Sequence, residues 1–198
     1  MTFYAFAHFV CRVVFGSVWR MRVLDVERVP LTGPLIVACN HVSYLDPPAL
    51  GAAMPRPVAY MAKQELFRIP VLGPVITGLN AFPVDRSRGD GAAIKRAVGV
   101  LRTGAALGIF PEGTRNKDGT VKPQSGVALL HYLTGAPILP AYVDGTGNAK
   151  RLARVSVVFG EPVRFATPGE KASREEMAKW TGEVMQRVFA LRERLRAD

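Results

Sequence analysis

The chain has 198 residues, 48% of them hydrophobic, and 26 Lys and Arg against 16 Asp and Glu give it a formal charge of +10. That length favours one compact domain, and with no stretch of ~20 consecutive apolar residues the composition excludes both disorder and a polytopic membrane fold. Charge spread along the chain attracts something anionic, headgroups, nucleic acid or a phosphorylated substrate, without saying which; nucleic acid is set aside because no RNA-binding aromatic motif, zinc-finger spacing or basic region leading into heptads is present.

Residues 1–23, MTFYAFAHFVCRVVFGSVWRMRV, carry Arg12, Arg20 and Arg22 and no acid. They do not read as a secretory signal, since the charge does not come first and no small-residue cleavage site follows. On helical spacing Phe3, Ala7, Val10, Val14, Val18 and Met21 share one side, and Phe6, Phe9, Val13 and Trp19 widen it. Such a helix suits the headgroup boundary of an anionic membrane. The alternative is a helix docked on the protein's own core.

Aliphatic runs then alternate with helical patterns. PLIVAC (34–39), PVAYMA (57–62), ALGIF (106–110), PILPAYV (137–143) and RVSVVFG (154–160) have the length of buried strands. Cys11 and Cys39 sit in apolar runs with no CxxC spacing and read as buried thiols of a reducing compartment. DGAAIKRAVGVLRTG starts on Asp90 as N-cap, aligns Ile94, Ala97, Val98 and Leu101, and ends at Gly104. GVALLHYLTGAP closes on Gly135. The last helix opens with a capping box between Ser173 and Glu176 and turns Met177, Trp180, Val184, Val188, Leu191 and Leu195 inward. Strand and helix in turn predict a single α/β domain over 24–198, a central sheet flanked by helices, behind a membrane-associating helix in 1–23.

Chemistry in open α/β sheets collects at the carboxyl ends of strands, where PLIVAC delivers Asn40, His41 and Asp46. Plain roles compete with a chemical one. Asp46, held out of helical geometry by Pro47, serves as the N-cap of the helix begun by PPALGAAM, and His41 is a satisfied core histidine or half of a metal site. Metal is set aside, because His8 and His131 lie in an oily segment and a helical pattern, and no thiol or carboxylate stands at zinc spacing. The chemical reading is a dyad: Asp46 accepts from one ring nitrogen of His41, and the other nitrogen removes a proton. With no G-x-S-x-G elbow in the chain, the hydroxyl to be deprotonated belongs to the substrate. IFPEGTRNKDG places Gly113, Thr114 and Arg115 at another strand end, suited to a phosphate, and NAFPVDRSRG adds Arg86. A single exposed arginine is ordinarily a solvated charge; recurrence at strand ends is what points to a phosphate site.

NHVSYLD has the form N-H-x4-D, FPVDR ends in arginine, and FPEGTR and PILPAYV follow in order over roughly residues 24–165. Together they resemble the four sequence blocks of the glycerophospholipid acyltransferases, in particular the bacterial 1-acylglycerol-3-phosphate acyltransferases. The resemblance implies an α/β fold around a mostly parallel or mixed sheet and attachment to the cytoplasmic face of the cell membrane. It implies transfer of a fatty acyl group from an acyl-CoA or acyl carrier protein thioester to the sn-2 hydroxyl of lysophosphatidic acid, with no cofactor beyond that co-substrate. It makes His41 the general base and Asp46 its orienting partner, and assigns Arg86, Glu112, Gly113, Thr114 and Arg115 to glycerol-phosphate binding, with Lys63 of MAKQEL as a further phosphate contact. Where the family continues with a Phe-Lys-x-Gly stretch this chain has VKPQSGVA, so Lys122 receives no role. The same blocks would serve glycerol 3-phosphate, another lysophospholipid or a glycolipid as acceptor. A lipid-binding protein without catalysis would need no oriented base.

Overall fold

The computed structural model describes residues 2–84, 91–116, 118–166 and 172–197. Helices α1 (Phe3–Val18), α2 (Asp46–Ala53), α3 (Leu72–Gly78), α4 (Gly91–Arg102), α5 (Gly126–Thr134) and α6 (Arg174–Ala197) surround the sheet. Its strands are β1 (Arg22–Leu24), β2 (Leu35–Cys39), β3 (Val58–Lys63), β4 (Ala81–Val84), β5 (Ala106–Ile109), β6 (Ile138–Asp144) and β7 (Ser156–Phe159). They run in the order β1-β7-β6-β2-β5-β3-β4, parallel at every pairing except the antiparallel β6–β7. The result is a single α/β domain around a mixed, mostly parallel sheet, in agreement with the sequence.

Strand β2 lies between β5 and β6, with Val37 paired to Gly108 on one side and Leu139 on the other. All five of its residues are buried, as a strand covered on both faces must be, and this is why it reads as an unbroken apolar run. Leu35, Val37 and Cys39 pack with Phe15 of α1 and with Ala49, Leu50, Ala52 and Ala53 of α2. Ile36 and Ala38 face the opposite layer, built by α4, α5 and α6 through Ala97, Leu101, Val127, Leu130, Val184 and Val188. From β2 the chain passes through α2 toward β3 and β4, and from β5 it returns through α5 to β6 on the other side. The end of β2 is therefore the point where the connections diverge, the usual place for a site in such a sheet.

The predicted helix ends are found where they are described. Ser173 and Glu176 exchange hydrogen bonds, Ser173 N–H to Oε2 at 2.7 Å and Glu176 N–H to Oγ at 3.1 Å. Gly135 closes α5 with φ +66°. Asp90 lies outside the described residues.

The N-terminal helix docks on the core, but by a different stripe from the apolar face its spacing picks out, and Trp19 and Met21 of that face turn to the core as well. Its docked stripe is Tyr4, His8, Cys11, Phe15 and, just past its end, Trp19, at alternating spacings of a helical face. Tyr4 accepts the Val58 N–H at 3.1 Å, His8 Nε2 donates to the Met54 carbonyl at 3.2 Å, and the Trp19 indole donates to the Ala149 carbonyl at 2.9 Å. The other side is apolar and open: Phe3, Phe6 and Phe9 are 51%, 54% and 61% exposed, and Val10, Val13, Val14 and Val18 are exposed beside them. A side chain at Gly78 would collide with the Phe3 ring, so α3 abuts the start of α1. Ile69, Val71, Leu72 and Val75 extend the exposed apolar surface there. No helix of the described residues is long and apolar enough to cross a membrane.

Candidate active site

Past Cys39 the chain keeps the alternation of β2 for two more residues. Asn40 turns to the α6 side, donating to the Val143 carbonyl at 2.9 Å and accepting the Val143 N–H at 2.8 Å. This double bond to β6 fixes the strand end, so His41 departs from a set point toward the α2 side.

His41 Nδ1 lies 2.8 Å from Asp46 Oδ2. A carboxylate only accepts, so Nδ1 carries the proton and Nε2 presents a lone pair. Asp46 is fully buried, and three further donors surround it. The Val42 and Ser43 N–H groups reach Oδ2 at 2.6 and 2.7 Å, and the Thr146 hydroxyl reaches Oδ1. Hydrogen bonds to both oxygens are what makes such a burial tolerable. The predicted N-cap role of Asp46 is corrected: α2 begins at Asp46 itself, and Leu45 occupies the cap position without a side-chain bond. Pro47 and Pro48 explain this, because prolines at the start of a helix leave no N–H there for a cap to satisfy.

The imidazole rests against Phe110, ring centroids 4.4 Å apart, and Phe110 stacks at 6.3 Å on Tyr60. Gly108 makes room for the Tyr60 ring, which a side chain there would strike. The Tyr60 hydroxyl is buried without a partner among the described residues, and burial pushes its pKa well up. Burial also pushes the Cys39 thiol well up, so no thiolate nucleophile stands beside the dyad.

Glu112 braces the same loop. Its Oε2 accepts the His41 N–H at 2.6 Å and its Oε1 accepts Asn116 Nδ2 at 3.0 Å, while the Asn116 N–H returns to the His41 carbonyl at 2.6 Å. Both carboxylate oxygens are thus engaged by protein donors, and burial raises the Glu112 pKa against the pull of those bonds. Gly113 follows at φ +68°, with Gln124 packed where a side chain would stand. Thr114 and Arg115 are exposed, and the Arg115 guanidinium lies 3.8 Å over the Tyr44 ring. Stacking holds the planar cation while its N–H edge stays free for an oxyanion.

Lys63 ends β3, exposed and 3.1 Å from Glu65. It pairs in register with Val84, where the chain leaves β4; Arg86, two residues on, lies outside the described residues. His41, Asp46, Glu112 and Gly113 are brought together, with Thr114 and Arg115 next to them in the chain, and Lys63 stands further along the carboxyl edge. Sequence reasoning missed Thr146, Asn116 and Tyr44. Tyr44 lies inside NHVSYLD and Asn116 directly follows EGTR, so both were within sight of the blocks; Thr146, in the turn after β6, had no signal beyond its place at a strand end. His131 is a satisfied core histidine, Nδ1 donating to the Ala136 carbonyl at 2.7 Å and Nε2 accepting the Phe165 N–H at 3.1 Å.

An imidazole oriented by a buried carboxylate, next to a strand-end loop with an exposed guanidinium, is an arrangement chemically able to take a proton from a hydroxyl. A family model described as Acyltransferase matches residues 20–144. The chain belongs to the acyltransferase family. It is 30% identical over 97% of its length, and 98% of the other's, to the 1-acyl-sn-glycerol-3-phosphate acyltransferase of Bacillus subtilis (strain 168). The corresponding Pseudomonas aeruginosa protein is 29% identical, over 96% of this chain and 77% of that one. Among solved structures, the 1-acyl-sn-glycerophosphate acyltransferase of Thermotoga maritima superposes with a TM-score of 0.77 at 28% identity, covering 98% of this chain and 80% of the other. Asp46, held by Val42, Ser43 and Thr146, and Glu112, on the His41 N–H, together fix the direction of the His41 ring.

Proposed function

We propose that this acyltransferase moves a fatty acyl group from an acyl-CoA or acyl carrier protein thioester to the sn-2 hydroxyl of 1-acylglycerol 3-phosphate, giving phosphatidic acid for phospholipid synthesis. The observation that carries the reading is the 2.8 Å bond from His41 Nδ1 to Asp46, which leaves Nε2 as the base; the names of the relatives supply the acceptor. As the hydroxyl oxygen attacks the thioester carbonyl, its proton passes to Nε2. The tetrahedral intermediate then collapses, the C–S bond breaks, and the imidazolium returns the proton to the departing thiolate. Asp46 holds the ring and steadies its charge. Arg115 and Thr114, with Lys63 and Arg86, hold the acceptor's phosphate and so aim its hydroxyl; Gly113, whose N–H is given to the Phe110 carbonyl at 2.9 Å, shapes the turn that presents them, and Glu112 contributes by holding the His41 backbone. Residues 1–23 meet the cytoplasmic face of the membrane and 24–198 carry out the transfer; the open apolar side of α1 and the neighbouring arginines support that division.

The test is thiol release from palmitoyl-CoA with lysophosphatidic acid, glycerol 3-phosphate and lysophosphatidylcholine as rival acceptors, for wild type, His41→Ala and Arg115→Ala. Lysophosphatidic acid is expected to give the highest kcat/KM. His41→Ala should lower kcat by on the order of 10²- to 10⁴-fold, and Arg115→Ala should mainly raise the KM of the acceptor. Substantial turnover by His41→Ala would remove the histidine from the chemistry.

A further inference from the structure

A sizeable cleft near the end of β2 is not lined by His41. It opens on the opposite side of the β2 end, the α6 side, and measures about 540 Å³, within the range of small-molecule sites. Asn40, Val42 and Glu112 form its inner end, the turn Gly145–Asn148 one wall, and Phe189 and Arg192 of α6, with Arg154, its outer part. The dyad and the cleft are therefore separated only by the thickness of residues 40–42.

The cationic end of this cleft is built by the fold. Gly145 has φ +82°, and a side chain there would run into the Arg154 carbonyl, so the turn after β6 closes tightly on the Arg154 backbone and seats that residue at the rim. Arg192 comes from α6, whose packing on β6 brings it close to Tyr142. Neither arginine has a carboxylate partner among the described residues. Asp144 and Asn148, also in the lining, provide acceptors. An occupant with an anionic end and N–H or O–H donors along a narrow arm matches this order of groups.

Along the carboxyl edge of the sheet, cations thus stand on both sides of His41. Arg115 and Lys63 lie toward β5 and β3, and Arg154 and Arg192 lie toward β6. One anionic substrate needs one such site, whereas transfer between two anionic substrates needs two, with the base between them. We infer that the cleft between β6 and α6 holds the phosphate end of the donor's phosphopantetheine arm, with Arg154 and Arg192 as its anion contacts. The arm, with its amide N–H groups and hydroxyl beside Asp144 and Asn148, crosses Val42 and the glycine-lined turn to bring the thioester to His41. Gly147 lies beside Val42 at that crossing, its Cβ position 4.0 Å from the Val42 side chain. This assignment rests on the acyl-transfer reading and adds the donor's position to it.

The test compares wild type, Arg154→Ala/Arg192→Ala and a charge-matched control, Arg102→Ala/Arg174→Ala. The control sites end α4 and start α6, and Arg174 is about 27 Å along the helix from Arg192. Three palmitoyl donors are used: coenzyme A, carrier protein, and the N-acetylcysteamine thioester, which has no phosphate. The cleft variant should raise the KM of palmitoyl-CoA at least tenfold, leave the acceptor KM unchanged and react normally with the phosphate-free donor, while the control matches wild type. An equal loss with the carrier-protein donor assigns the site to the phosphate both arms share; a loss confined to coenzyme A assigns it to that donor's diphosphate. An unchanged KM for both phosphate-bearing donors, or an equal loss with N-acetylcysteamine, overturns the assignment. Calorimetric titration with free coenzyme A separates the two ideas. Binding lost in the cleft variant of a protein that transfers nothing would sink the acyl-transfer reading and keep the site.

Discussion

The hydroxyl of Thr146 donates to Asp46 from a turn 100 residues further along the chain. It is one of four donors on a carboxylate that has no solvent, so its loss is felt twice, as a hydrogen bond to a charged group and as looser aim for His41. Thr146→Val, nearly the same size, should cost about 1.5–3 kcal/mol in urea unfolding and lower kcat without raising the acceptor KM. A cost under about 0.5 kcal/mol, the usual size at a neutral surface site, would show that Asp46 does not depend on this bond. Glu112 gives a pH signature of its own. Burial raises its folded pKa, so the folded chain keeps a proton that the unfolded chain has released. The stability it contributes is complete below the unfolded value, about 4.3, and is lost as pH rises through the higher folded value. The stability of wild type relative to Glu112→Gln should therefore fall across that window and level off above it in urea series from about pH 4 to about pH 8. A relative stability that climbs with pH would mean that the bonds from His41 and Asn116 outweigh burial.

At the scale of elements, α1 divides its labour by residue type. The docked stripe uses side chains with a polar tip, Tyr4, His8 and Trp19, each tied to a backbone group, whereas the purely apolar Phe3, Phe6, Phe9 and the valines face outward. A soluble helix would present the reverse arrangement. Phe6→Ser/Phe9→Ser should reduce sedimentation with vesicles containing phosphatidylglycerol by on the order of tenfold per ring, given about 1.5–3 kcal/mol for full burial of each. Urea stability should stay within about 0.5 kcal/mol of wild type, because neither ring supports the core. Undiminished vesicle binding would show that the outward face is not what meets lipid. The same helix shows what sequence can and cannot say about elements. Apolar runs located β2, β3, β5, β6 and β7, since strands covered on both faces leave no polar alternation to read. Three-residue β1 has too little length for any pattern, and α3, LGPVITG, carries helix-breaking Gly and Pro and keeps its apolar residues exposed. The side on which α1 docks was hidden because hydrophobicity alone does not register a tyrosine, histidine or tryptophan anchored by its polar atom.

For the whole molecule, the sheet order decides what assembles at one place. The dyad was legible because His41 and Asp46 close a turn of a few residues, which local sequence can show. Glu112, Asn116 and Thr146 arrive from the ends of β5 and β6, and their role depends on those strands flanking β2, which no local pattern records. The cleft toward α6 was invisible for the same reason: Arg154 and Arg192 come to line one cleft only once α6 packs on β6. Charge acts at this scale too, because the excess of +10 is distributed while the exposed large apolar side chains of the described residues cluster on α1 and the segment before β4, with single ones elsewhere. The proposed membrane attachment would then have two contributions, and salt separates them. Each Lys or Arg near an anionic surface contributes about 1 kcal/mol, and that part is screened as the Debye length falls from about 10 Å at 0.1 M salt to about 3 Å at 1 M. Buried apolar side chains are not weakened by salt. Raising salt over that range should therefore strip most wild-type binding to phosphatidylglycerol vesicles yet leave a remainder equal to binding on neutral phosphatidylcholine, and Phe6→Ser/Phe9→Ser should remove that remainder. Complete release of the wild type by salt would mean that α1 only lies on the headgroups, and indifference to salt would mean that the positive charge serves the substrates alone.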